Sequence, residues 1–205
     1  VFFYFMHLMG IEYWCFHDRD LVDMGDGGLR EFHGRIDELK PTILELSQKT
    51  EIKVGWVTQN LFTSSIYVGG AATAAEFGIF AAAWTQTKAM LDMAKWAQEN
   101  GLDAKQFVFW GGREGYRLLL AAMMGLEKRN LAAFLWAAVR YAQKIGLDIQ
   151  FLIEPKWCEP STSQYDSCAA IVIGFLREFG LEEHFKLNLE TNHAQLANLT
   201  MEHEV

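Results

Sequence analysis

Proline and cysteine are scarce, with 3 of each in 205 residues. No Pro/Gly/Ser-rich run or low-complexity stretch marks a linker, so one domain is expected. Cys15, Cys158 and Cys168 are odd in number and lack paired metal spacing, which excludes a disulfide framework and points to reduced thiols in a cytoplasmic compartment. Basic side chains are outnumbered 18 to 26, for a net charge of -8. That balance argues against nucleic acid as a partner. The opening Val1-Phe2-Phe3-Tyr4-Phe5-Met6 is apolar, but it lacks a basic flank and is interrupted by His7 and Glu12. It reads as neither signal nor membrane span. No Gly-x-Ser-x-Gly elbow, Gly-x-Gly-x-x-Gly turn or Walker sequence occurs, so neither a nucleophilic serine nor a phosphate cradle is expected. A neutral, polyhydroxylated small molecule fits better.

What the chain has is alternation. Tyr13 to Phe16, Lys53 to Val57, Gln106 to Trp110, Gln150 to Ile153 and Phe185 to Leu189 read as short apolar strands. Between them lie helical stretches: Leu29 to about Gln48, an Ala-rich helix ending near Asn100-Gly101, another running to Ile145-Gly146, and Ala169 to Phe179. Residues 1 to 9 read as a helix end capped by Gly10. Repeated βα units without a dinucleotide turn favour a TIM (β/α)8 barrel over a doubly wound sheet. Only about five units are present, strands 2 to 6 of such a barrel. The reading is therefore one incomplete domain over 1–205, with the remaining units outside this stretch. Alone, these residues would leave two sheet edges and the barrel interior open, and no catalytic activity is expected of them.

Function in an α/β barrel gathers at the C-terminal ends of strands. Phe151-Leu152-Ile153 is a strand of the doubly buried kind, and Glu154-Pro155-Lys156 follows it directly. Read alone, that tripeptide is either a site or a solvated turn. The other strand ends carry His17 and Asp20, Thr58 and Asn60, Arg113 and Glu114, and Glu190 and His193. Carboxylates with one imidazole, as in Glu154, Glu190 and His193, suit Mg²⁺, Mn²⁺ or Co²⁺ better than zinc. The same Glu190 and His193 could simply begin a helix. His17 with Asp20 reads as a base whose tautomer is held by a carboxylate, or as a surface loop of local ion pairs. Trp56, Phe62 and Trp110 would wall a pocket, or merely fill a core.

Five motifs in order resemble xylose isomerase: Phe16-His17-Asp18-Arg19-Asp20, Thr58-Gln59-Asn60-Leu61-Phe62, Trp110-Gly111-Gly112-Arg113-Glu114-Gly115, Leu152-Ile153-Glu154-Pro155-Lys156 and Asn188-Leu189-Glu190-Thr191-Asn192-His193. Gly69-Gly70-Ala71-Ala72-Thr73 and Gln164-Tyr165-Asp166 resemble the longer of that family's two subgroups. The resemblance implies a (β/α)8 barrel, assembled as a homotetramer, that isomerises D-xylose to D-xylulose by a hydride shift with two divalent cations. It implies His17, oriented by Asp20, for ring opening and Lys156 for the substrate's O1. Glu154 and Glu190 would hold the first metal, and Glu190 and His193 the second. Trp110 and Phe62 would form the wall beside the reacting carbons, and Thr58 would belong to the substrate site. The chain departs from the family at Lys156-Trp157, at Ser161-Thr162-Ser163 and at Ala194-Gln195-Leu196-Ala197-Asn198-Leu199. The later aspartates that complete both metal shells do not occur before Val205. Other readings are a non-catalytic sugar- or metal-binding barrel on the same scaffold, an inactive fragment, and a metal-dependent nuclease, which the negative charge disfavours.

Overall fold

The computed structural model describes residues 1–25, 27–116 and 118–205. Along the chain the principal elements are α1 (Phe2–Leu8), β1 (Tyr13–His17), α2 (Asp18–Leu21), α3 (Gly28–Thr50), β2 (Lys53–Thr58), α4 (Phe77–Glu99) and β3 (Asp103–Trp110). They continue with β4 (Gly115–Tyr116), α5 (Met124–Ile145), β5 (Gln150–Glu154), β6 (Ser163–Gln164), α6 (Ala169–Glu178), β7 (Phe185–Leu187), α7 (Thr191–Leu196) and α8 (Met201–Glu204). Strands β1, β2, β3, β5 and β7 make one sheet in that order. The pairings of β1 with β2, β2 with β3, and β5 with β7 are parallel.

Helix ends are set by a repeated local device. Gly101 and Gly146 adopt φ of +75° and +62°, the left-handed region that costs glycine nothing. The residue after each glycine donates its N–H back into the helix, Leu102 to Ala97 O and Leu147 to Ala142 O, both at 2.9 Å. Both leucines are buried. This is the Schellman arrangement, in which an apolar residue beyond the glycine seals the last turn. The helix ends read at Asn100-Gly101 and Ile145-Gly146 follow from it.

Two compact units make up the fold. The first comprises 1–60, 85–107 and 142–149. Its core holds Phe16, Val54, Val57 and Phe107 from the strands with Phe32, Ile36 and Ile43 from α3 and Met90, Leu91 and Ala94 from α4. In the β1–β2 register His17 sits opposite Thr58 and Phe16 opposite Val57. Two strand-end residues thereby become neighbours while the phenylalanine and valine beside them stay dry.

The second unit comprises 61–84, 108–141 and 150–205. Phe151 stacks on Phe185 at 5.4 Å between ring centroids, and Phe109 meets both. Phe80 and Trp84 pack edge-on against Phe134. The sequence reading contains no trace of one feature here, an antiparallel ribbon of β4 and β6 in which Gly115 faces Gln164. A Cβ on Gly115 would lie 2.0 Å from the backbone oxygen of Ser163. Gly115→Ala is therefore expected to destabilise the fold by about 3 kcal/mol, the upper part of the usual overpacking range. Chemical denaturation measures it, and a loss below about 1 kcal/mol would show that the ribbon yields freely.

The fifth strand ends at Leu187, two residues earlier than read. Glu190 becomes the N-cap residue of α7, without a side-chain capping bond. The Asn188 N–H donates to Ile153 O at 2.8 Å, the last rung between β5 and β7.

Candidate functional site

In the first unit, β1 delivers His17 to a single helical turn, α2. Asp20 Oδ2 accepts the His17 backbone N–H at 2.8 Å and lies 3.1 Å from His17 Nδ1. This geometry lets the carboxylate hold the proton on Nδ1 and leave Nε2 as the reactive nitrogen. Trp56 meets the imidazole edge-on at 6.1 Å. Thr58 is buried, directly across the ladder from His17.

In the second unit, the end of β5 carries Glu154, with Lys156 close behind. Glu154 Oε1 is 3.7 Å from His193 Nδ1, and Asn188 Nδ2 donates to Glu154 Oε2 at 2.5 Å. Burial holds the Glu154 carboxyl above its ordinary range. The Asn188 bond and the Lys156 charge oppose this shift, and the negative charge of Glu190 adds to it. His193 is held below the usual imidazole range by burial first and the Lys156 charge second, against the pull of its bond to Pro155. Lys156 Nζ sits 5.0 Å above the Trp110 ring, within cation–π range, and 3.5 Å from Glu159. Trp110 and Phe62 meet edge to face at 4.4 Å. Gly112 allows that pairing, since a Cβ there would be 2.9 Å from the Trp110 ring and 3.1 Å from Phe62.

The Trp-Gly-Gly-Arg-Glu-Gly motif does mostly architectural work. Arg113 Nε donates to Phe62 O at 2.9 Å. Glu114, 5% exposed, accepts the backbone N–H groups of Ala71, Ala72 and Thr73 and the Thr73 hydroxyl. One carboxylate thus closes the Gly70–Thr73 loop, satisfying donors that have no ladder or helix to join.

The donor types of Glu154, Glu190 and His193, two carboxylates and an imidazole, suit a divalent cation. His193 Nδ1 lies 3.1 Å from Pro155 O. With the proton on Nδ1, that bond fixes the tautomer and leaves Nε2 free to coordinate, the usual second contact of a ligating histidine. Assembly is incomplete, however. Glu190 is exposed at the start of α7, and no group of three His, Cys, Asp or Glu side chains poised for a metal occurs among the described residues.

Two contributors went unread. Asn188 orients Glu154; its signal was its place in the same motif, two residues before Glu190. Asp166 lies against Gly111, where a Cβ would come within 2.5 Å of Asp166 Oδ2. Its carboxyl is pushed up to about 8, chiefly by burial, with the charges of Glu114 and Glu154 adding and backbone N–H bonds partly offsetting. The folded state therefore holds this proton where the unfolded chain, titrating near pH 4, releases it. Stability should fall as pH rises from about 4 through about 8. Asp166→Asn should flatten that dependence and leave the protein more stable at pH 8. Denaturant melts at intervals across the range test this, and an unchanged slope would count against it.

Against known proteins, no family model matches. A xylose isomerase of Caldicellulosiruptor bescii is 46% identical over 203 residues, covering 99% of this chain and 45% of the relative. One of Listeria welshimeri is 44% identical over 205 residues, covering 100% of this chain and 46% of the relative. The chain spans a little under half the length of these curated relatives. Among solved structures, an E. coli 3-keto-D-glucoside 4-epimerase aligns with TM-score 0.70 at 12% identity, covering 98% of this chain and 66% of that one. A D-psicose 3-epimerase crystallised with D-fructose aligns at 0.68 and 13%, covering 99% and 61%. Both show the fold alone, a part of a (β/α) barrel.

Proposed function

From a chain that is xylose isomerase-like along its whole length, we propose a metal-dependent aldose–ketose isomerase that converts D-xylose to D-xylulose, with these residues as the central part of its barrel. The observation that carries this reading is the end of β5. There Glu154 stands 3.7 Å from His193, and the Lys156 ammonium lies over the Trp110 ring that Phe62 packs against. Carboxylate, imidazole, cation and apolar wall are together within a single unit.

Two divalent cations, Mg²⁺, Mn²⁺ or Co²⁺, held by Glu154, Glu190 and His193 with Glu190 shared, would act as Lewis acids on adjacent sugar oxygens. The chain's own groups do the rest. His17, its tautomer held by Asp20, takes the anomeric hydroxyl proton as the ring opens. Lys156 donates to O1. Trp110 and Phe62 keep water from the C1–C2 unit while a hydride crosses from C2 to C1 and the O2 proton passes to O1. Thr58 contributes a hydroxyl contact beside His17. The family resemblance also proposes a homotetramer in a cytoplasmic setting; no described helix is long and apolar enough to cross a membrane.

The test is D-xylose turnover by the whole protein. Mg²⁺ or Mn²⁺ should raise it well above the rate in chelator, and equal rates would sink the reading. The second reading is a non-catalytic sugar- or metal-binding barrel on the same scaffold. Calorimetry showing D-xylose binding by a protein that forms no ketose would decide for it.

A further inference from the structure

One fully buried carboxylate has no part in the reaction proposed above. Asp18 is 0% exposed. Its Oδ1 accepts the N–H of Arg19 at 2.8 Å and of Asn60 at 2.9 Å, and its Oδ2 accepts Gln86 Nε2 at 2.6 Å. Gln86, itself 0% exposed, also donates to Asn60 O at 3.0 Å. A carboxylate taken out of water costs several kcal/mol unless its lone pairs are met. Here they are met by the chain just beyond β2 and by α4.

The next residue back is His17. Its turn, α2, has only four residues, and the carboxylate beside its Nδ1 belongs to Asp20, whose side chain is 60% exposed. An exposed pair on one helical turn is weakly held, because a surface ion pair seldom repays the ordering of its side chains. The rigid point of this turn is Asp18, one residue from His17 and tied to two other elements.

We propose that Asp18 is a positioning residue: the Asp18–Asn60–Gln86 network pins α2 and so aims the His17 imidazole. The inference rests on the isomerase reading only for what His17 does. In ring opening the anomeric hydroxyl proton passes to His17, the C1–O5 bond breaks with its electron pair left on O5, and His17 returns the proton to O5. An imidazole that wanders by an ångström loses much of that advantage.

The test uses the whole protein and two readouts. In the first, Asp18→Asn, which keeps the shape but loses the charge and one acceptor, should lower kcat for D-xylose about 10- to 100-fold, the scale of an outer-shell partner. In a His17→Gln background the same change should cost less than about threefold, because it acts through His17. Equal losses in both backgrounds would mean a general structural role and overturn the proposal. The second readout needs no turnover. Nitrogen NMR of the His17 imidazole should show the ring shifted and exchange-broadened in Asp18→Asn, and an unchanged His17 signal overturns the proposal. If Asp18→Asn fails to fold, Gln86→Leu removes the 2.6 Å donor, leaves the carboxylate, and is read the same two ways. A wild type that forms no ketose refutes the isomerase reading alone, since the NMR result still judges the positioning.

Discussion

Glu154→Gln in the whole protein is expected to reduce kcat/KM for D-xylose on the order of 10³-fold, the scale of removing one group that stabilises charge in a transition state. Glutamine keeps the length of the side chain and can still accept the Asn188 N–H that now reaches Oε2 at 2.5 Å. What it removes is the negative charge facing His193. The fold should not suffer: burial and the Glu190 charge already hold this carboxyl above its ordinary range, so neutralising it relieves a cost. The expected pattern is thus lost activity and weakened divalent-cation affinity with an undiminished melting temperature in chelator. Steady-state kinetics, cation titration calorimetry and thermal melts measure the three, and a variant within tenfold of wild type would remove Glu154 from the site.

Glu114→Ala should do the opposite, costing stability before chemistry. Three backbone N–H groups and a hydroxyl end on one buried carboxylate. Removing it strands donors at 71–73, and each buried, unpaired donor costs about 1–3 kcal/mol. Water entering the vacated space recovers part of that sum, so the expected loss is about 4 kcal/mol, near the upper end for single substitutions. Chemical denaturation of the whole protein measures it. A loss under 1 kcal/mol would mean that the Gly70–Thr73 loop has other support.

These two glutamates illustrate what can be read from a sequence. Glu154 was legible because apolar residues filling a strand buried on both faces are followed at once by a charge, and strand ends are where barrel proteins gather polar groups. Glu114 was visible as part of a motif, but its partners lie more than forty residues away, and nothing local says that its carboxylate faces a loop. The β4–β6 ribbon was silent for a related reason. Two residues paired with two others 47 and 49 positions on leave no periodicity to detect. Glu190, expected directly after a strand running to Leu189, is the N-cap of α7, because the β5–β7 ladder closes with the Asn188 N–H to Ile153 O bond and the strand ends at Leu187.

By itself the sequence determined the alternation of strand and helix, the glycine-terminated helices and the polar clusters after the strands. Each of these depends on neighbours within a few residues: side-chain period, a left-handed glycine, an apolar triplet. Tertiary structure alone decided which carboxylates are buried and against what. Asp18, Glu114 and Asp166 look alike as text and resemble the surface acids around them. Only packing makes the first a tie from α2 to the chain beyond β2 and to α4, the second a clasp on a loop and the third a proton holder against Gly111, because the cost of burying a charge depends on every donor the fold brings to it.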